Sequence, residues 1–128
     1  MIKTVDHVTI NIKNREKSEK FYSEFLGLMR QQQIDMGDSL IIYYELPGGV
    51  RLELIDTYER KPDSTDEQCT PGCYRHLAFG VDSVEKCRKA CQKFQIPVIM
   101  EPSVLEKLHC KVMLIRDPNG VEIEFVER

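Results

Sequence analysis

Alternation of apolar and polar residues marks the strands of this chain. From residue 5 to 12, Val8, Ile10 and Ile12 point one way, while Val5, His7, Thr9 and Asn11 point the other. From 50 to 57, Val50, Leu52 and Leu54 share one face, and Arg51, Glu53 and Ile55 share the other. Residues 74–81 set Leu77, Phe79 and Val81 against His76, Ala78 and Gly80. A closing strand follows at 121–126, after the turn Asp117-Pro118-Asn119-Gly120. Between these lie stretches with helical spacing. Asn14 predicts the cap of a helix that runs to about Leu26 and stops at Gly27, burying Phe21, Tyr22, Phe25 and Leu26. Asp82 and Glu85 predict a capping box for a second helix with the apolar stripe Val84, Cys87, Cys91 and Phe94. Further strands are expected at about 28–36, 40–46, 97–100 and 110–116, with a loop over 101–109.

The elements come in the same order twice: strand, helix, three strands. Placing His7 on His76, an offset of 69, also places Glu16 on Glu85, Lys17 on Lys86, Lys20 on Lys89 and Phe25 on Phe94. Each half opens on a strand bearing one His and closes on a strand bearing one Glu. His7 and Glu53 are 46 residues apart, His76 and Glu124 48. The stretch 58–73 is polar and aperiodic and reads as a linker. The expected organisation is one domain over 1–128, with one module at about 3–57 and a second at about 74–127.

Strand period puts His7, Glu53, His76 and Glu124 opposite the strongly apolar faces that the helices must cover. All four then share the remaining, concave face. A lone His on a strand is more often a hydrogen-bonded structural residue, and an outward Glu more often simply solvated. The argument for chemistry is that all four recur at corresponding places in a repeat. Two imidazoles and two carboxylates suit one divalent metal such as Ni²⁺, Co²⁺, Zn²⁺, Mn²⁺ or Fe²⁺, with two positions left for water or substrate oxygens.

Composition narrows the field. A chain of 128 residues with 41% hydrophobic and 30% charged residues has enough material for a core. Its net charge of −3 and lack of a basic stretch argue against nucleic acid and anionic membrane surfaces as partners. No signal peptide or membrane-spanning run is read at the start or elsewhere. Five cysteines cannot all pair within one chain, so a reducing, cytoplasmic setting is expected. Cys69 and Cys73 flank a Thr-Pro-Gly turn and read as free thiols, since a second ligand pair is missing. Cys87 and Cys91 read as small buried hydrophobes on the second helix.

The residues Asp6-His7-Val8-Thr9-Ile10, Phe21-Tyr22, Leu26-Gly27-Leu28, Leu52-Glu53-Leu54, His76-Leu77-Ala78-Phe79 and Asp117-Pro118-Asn119-Gly120-Val121-Glu122-Ile123-Glu124-Phe125 resemble the vicinal oxygen chelate superfamily. The resemblance covers essentially the whole chain and is nearest to the glyoxalase I (lactoylglutathione lyase) group. It implies an α+β fold of two βαβββ modules, with curled mixed sheets and helices on their outer faces. It implies His7, Glu53, His76 and Glu124 as ligands of a divalent metal, and a homodimer. The implied reaction turns the hemithioacetal of methylglyoxal and a thiol into a lactoyl thioester through a metal-bound enediolate. Glu124 would be the base, with Glu53 its counterpart.

Two positions depart from the glutathione-using pattern. Asn11 stands where an Arg commonly follows the first His by four residues, and Thr57 where an Asn commonly follows the first Glu. Neither offers a guanidinium fork for a carboxylate, so the thiol need not be glutathione. Lys107 is a further candidate contact for an anionic substrate. The resemblance also admits a methylmalonyl-CoA epimerase-like proton transfer, or a metal-free module that binds a small molecule. A Gln is common in such epimerases at the place of Glu53, and a metal-free binder would lack the ligands, so the Glu and the full set of four favour glyoxalase chemistry.

Overall fold

The computed structural model describes residues 1–59, 71, 72 and 74–128. The chain divides into two compact units, Met1–Pro62 and Asp63–Arg128. No helix among the described residues is long and apolar enough to cross a membrane.

The first unit runs β1 (His7–Asn11), α1 (Arg15–Glu19), a π-wound continuation over Lys20–Phe25, β2 (Arg30–Asp35), β3 (Ser39–Glu45) and β4 (Arg51–Thr57). Its sheet has the order β1-β4-β3-β2. The β1–β4 pair is parallel and the others antiparallel. Asn14 caps α1 as expected, its Oδ1 accepting from the Lys17 amide at 2.9 Å. The helix ends before Gly27, whose φ of +68° few other residues adopt. The π winding was not legible in the sequence. Its wider turn brings successive side chains closer in direction. Adjacent Phe21 and Tyr22 both enter the core, with ring centroids 4.9 Å apart, and Tyr22 lies 6.3 Å from Tyr44. Ile10, Leu40, Ile42, Leu52 and Leu54 complete this apolar face. β2 is exposed along its whole length, and its Arg and three Gln make a polar edge.

The second unit runs β5 (Leu77–Gly80), α2 (Val84–Phe94), β6 (Val98–Leu105), β7 (Cys110–Arg116) and β8 (Glu122–Glu127). Its sheet order, β5-β8-β7-β6, repeats the first. Again the first and last strands pair parallel and the rest antiparallel. The α+β class and the doubled strand-helix-three-strand plan are therefore as expected.

Three local expectations are corrected. The strand expected from residue 74 begins at Leu77, so His76 stands immediately before it. The N-cap of α2 is Ser83, not Asp82: Ser83 Oγ accepts from the Lys86 amide at 3.3 Å. Glu85 then falls one place short of the capping-box position and meets Lys111 Nζ at 2.5 Å instead. Ser83→Ala should cost about 1 kcal/mol of stability, measured by urea denaturation. Finally, residues 101–105 are strand rather than loop. β6 is an edge strand with two register shifts, where a proline such as Pro102 is tolerated. The expected loop shrinks to a turn at Glu106–Leu108 and His109.

The turn into β8 is built as read. Asp117 Oδ1 accepts from the amides of Asn119 and Val121, each at 2.8 Å, and Gly120 supplies φ +89°. This turn fixes the register of β8. A slip of one residue would turn Glu124 to the opposite face.

Candidate functional site

Register decides which side chains of the first unit meet. His7 lies beside Arg51 and Thr9 beside Glu53. Paired positions on parallel strands point to one face, so His7, Thr9, Arg51 and Glu53 all lie opposite the core. Tyr43, beside Glu53 on the other flank, joins them. His7 Nε2 is 4.0 Å from Glu53 Oε1. His7 Nδ1 is 2.6 Å from Asp6 Oδ1. A carboxylate only accepts, so Nδ1 carries the proton and Nε2 is the atom turned to Glu53. Arg51 Nη2 donates to the same Asp6 oxygen at 3.0 Å. The His7 hydrogen bond, then Arg51, hold the Asp6 carboxyl below the usual range.

Glu53 is only 7% exposed, a buried carboxylate rather than the solvated one an outward position suggests. Two hydroxyls make this tolerable. Thr9 Oγ1 donates to Glu53 Oε1 at 3.1 Å. The Tyr43 hydroxyl also donates to Glu53, and this bond, followed by burial, pushes the Tyr43 phenol above its ordinary value. The Arg51 guanidinium lies over the Tyr43 ring, 4.3 Å from its centroid.

The second unit presents a matching pair. Glu124 lies beside Ala78 on β5 and Leu114 on β7. His76 Nε2 is 3.1 Å from Glu124 Oε2. His76 Nδ1 is buried with no hydrogen-bond partner among the described residues. A buried imidazole nitrogen without a partner is costly.

These donors fit a divalent cation. Metal–N and metal–O distances of about 2.0–2.2 Å put two ligands of one ion about 3 Å apart when neighbouring and about 4 Å apart when opposite. The observed separations, 3.1 and 4.0 Å, fall in that range. The Asp6 carboxylate behind His7 is the kind of outer partner that fixes a ligating imidazole. No group of three or more His, Cys, Asp or Glu among the described residues is placed to hold a metal ion.

The remaining candidates are more scattered. Asn11 is exposed on the face that carries His7. Thr57, exposed at the end of β4, lines a cleft of about 410 Å³ with Gly37, Asp38, Tyr58 and Glu59. Lys107 is exposed in the turn after β6. Cys87, Cys91 and Cys110 are free thiols. Burial raises both Cys87 and Cys91, the latter to about 11, so neither is a nucleophile near neutrality. Cys69 and Cys73 lie outside the described residues. The sequence reading did not single out Asp6, Thr9, Tyr43 or Arg51 as site residues. Thr9 could have been found from strand period, but Tyr43 needed the β3–β4 register.

The family model of the Glyoxalase/Bleomycin resistance protein/Dioxygenase superfamily matches residues 4–125. A lactoylglutathione lyase of Neisseria meningitidis is 24% identical over 95% of this chain and 88% of its own. Among solved structures, a glyoxalase family protein from Enterococcus faecalis superposes with a TM-score of 0.81 at 24% identity, covering 98% of both chains. A glyoxylase/bleomycin resistance protein/dioxygenase domain from Frankia sp. EAN1pec gives 0.82 at 20% identity, over 99% of this chain and 98% of that one. With a family match across nearly its whole length, and two sheets of the matching topology, the chain belongs to the Glyoxalase/Bleomycin resistance protein/Dioxygenase superfamily.

Proposed function

We propose that this protein is a metal-dependent, glyoxalase I-like lyase that converts the hemithioacetal of methylglyoxal and a small thiol to a lactoyl thioester. The observation that carries the reading is the doubled His–Glu pair, each imidazole Nε2 facing its carboxylate at 4.0 Å or 3.1 Å. The similarity to a lactoylglutathione lyase points to the same chemistry.

In this reading His7, Glu53, His76 and Glu124 together hold one divalent ion, Ni²⁺, Zn²⁺, Co²⁺, Mn²⁺ or Fe²⁺. When bound, the ion supplies Lewis acidity toward the two neighbouring oxygens of the substrate. The chain's own part is to hold and move a proton. Glu124 takes the hydrogen from the carbon bearing sulfur and returns it to the adjacent carbon. The step is a balanced isomerisation: one C–H and one O–H bond break and one of each forms, as the former carbonyl oxygen takes up a proton to become the lactoyl hydroxyl and the hemithioacetal hydroxyl gives up its proton to become the thioester carbonyl. Asn11 and Thr57 are neutral, so the thiol's anionic end, if it has one, does not meet a guanidinium at these positions. Lys107, exposed in the turn after β6, is the candidate cation for it. The working form is a homodimer.

Equilibrium dialysis against Co²⁺ tests the ligand set. Wild type should retain the ion. His7→Ala and His76→Ala should each weaken binding severalfold or more, because each removes a donor from a different pair. Unchanged affinity in either variant would remove that pair from the site. Methylmalonyl-CoA, tried as substrate beside the hemithioacetals, separates the glyoxalase reading from an epimerase.

A further inference from the structure

The two His–Glu pairs are built differently, although the sheets that carry them have the same topology. Glu53 is flanked in register by Thr9 and Tyr43, and both hydroxyls donate to it. Glu124 is flanked in register by Ala78 and Leu114, neither of which has a side-chain donor. The same asymmetry holds for the imidazoles. The residue before His7 is Asp6, which accepts from Nδ1 and is itself held by Arg51. The residue before His76 is Arg75, which cannot accept, and His76 Nδ1 has no partner among the described residues.

We propose that Thr9 and Tyr43 are positioning residues that clamp Glu53 as a fixed ligand. The proposal rests on the functional reading above and deepens it at one of its two carboxylates. A carboxylate has few lone-pair directions. Two hydroxyls on Glu53 leave a defined one for a cation. Arg51 adds rigidity, since its guanidinium lies over the Tyr43 ring and pairs with Asp6. Glu124 has no hydroxyl beside it in register and meets His76 Nε2 at 3.1 Å instead.

The experiment uses the full chain with Co²⁺ as probe, in wild type, Thr9→Val, Thr9→Ser and Tyr43→Phe. Three quantities are read: the Co²⁺ dissociation constant by chelator competition, the visible Co²⁺ absorption spectrum, and the melting temperature without metal. Outer partners of metal ligands typically contribute about 10–100-fold in affinity. Thr9→Val and Tyr43→Phe should each weaken Co²⁺ binding by about that factor and alter the spectrum. Thr9→Ser, which keeps the hydroxyl, should restore both. Metal-free melting temperatures close to wild type exclude a general loss of structure as the cause. Affinity and spectrum unchanged in Thr9→Val and Tyr43→Phe, or a Thr9→Ser variant as weak as Thr9→Val, would overturn the clamp. A wild type that binds no Co²⁺ would overturn both the clamp and the metal reading. A wild type that binds Co²⁺ with the expected sensitivity but turns over no hemithioacetal would overturn the glyoxalase assignment alone and support the clamp.

Discussion

Glu124→Gln is expected to lower kcat on a methylglyoxal hemithioacetal by about 10²–10⁴-fold, the usual worth of a positioned general base. The substitution keeps the size of the side chain and one acceptor oxygen. It removes the group that accepts a proton. In the proposed reading Glu124 is the base, and β5 and β7 flank it with Ala78 and Leu114, neither of which has a side-chain donor. Glu53 carries hydroxyl donors from both sides. The matching variant Glu53→Gln should act differently. It removes a buried charged ligand and puts an amide against Thr9 and Tyr43, so the main loss should be in metal retention. Paired measurements of kcat and bound metal on the two variants distinguish the roles. Equal loss of metal in both would deny Glu124 a separate task.

Tyr22→Ala should cost about 3–5 kcal/mol, the range for removing a buried aromatic ring from a core. Tyr22 is fully buried, between Phe21 and Tyr44, on the π-wound segment that packs against the first sheet. The hole cannot close easily, because Phe21 and Tyr44 are themselves held by the helix and by β3. Urea unfolding followed by circular dichroism measures the loss. A cost under about 1 kcal/mol would show that the segment can repack, contrary to the close packing expected of a core. By contrast, the exposed residues of β2 can be changed with little effect.

Much of this architecture was written in local pattern. Alternation located β1 and β4, Asn14 and Gly27 bounded the first helix, and Asp117 to Gly120 announced the turn that sets β8. The repeat of these signals gave the doubled unit. Where the reading failed, a longer-range fact decided. The loop expected over 101–109 gives way to strand through Leu105, because β6 is an edge strand with register shifts. Ser83 takes the cap of α2 because the chain adopts an extended conformation there (φ −155°), one residue later than the acidic pair suggested. The π winding over Lys20–Phe25, which buries the adjacent Phe21 and Tyr22, has no simple residue signature.

The site was legible to a similar depth. His7 and Glu53, and likewise His76 and Glu124, do come to face one another within each unit. The strand period contained that much. It did not contain Tyr43 or Arg51, whose roles depend on which residue of β3 or β4 is opposite which. Nor did it contain the burial of Glu53.

The most direct test is turnover by purified protein, stripped of metal and reloaded with Ni²⁺, Zn²⁺ or Co²⁺, on hemithioacetals that methylglyoxal forms with several small thiols. Formation of the lactoyl thioester, followed by NMR, should require the metal, show a preference for one thiol, and vanish in Glu124→Gln. Protein that holds a metal and forms no thioester with any of the thiols would contradict the assignment.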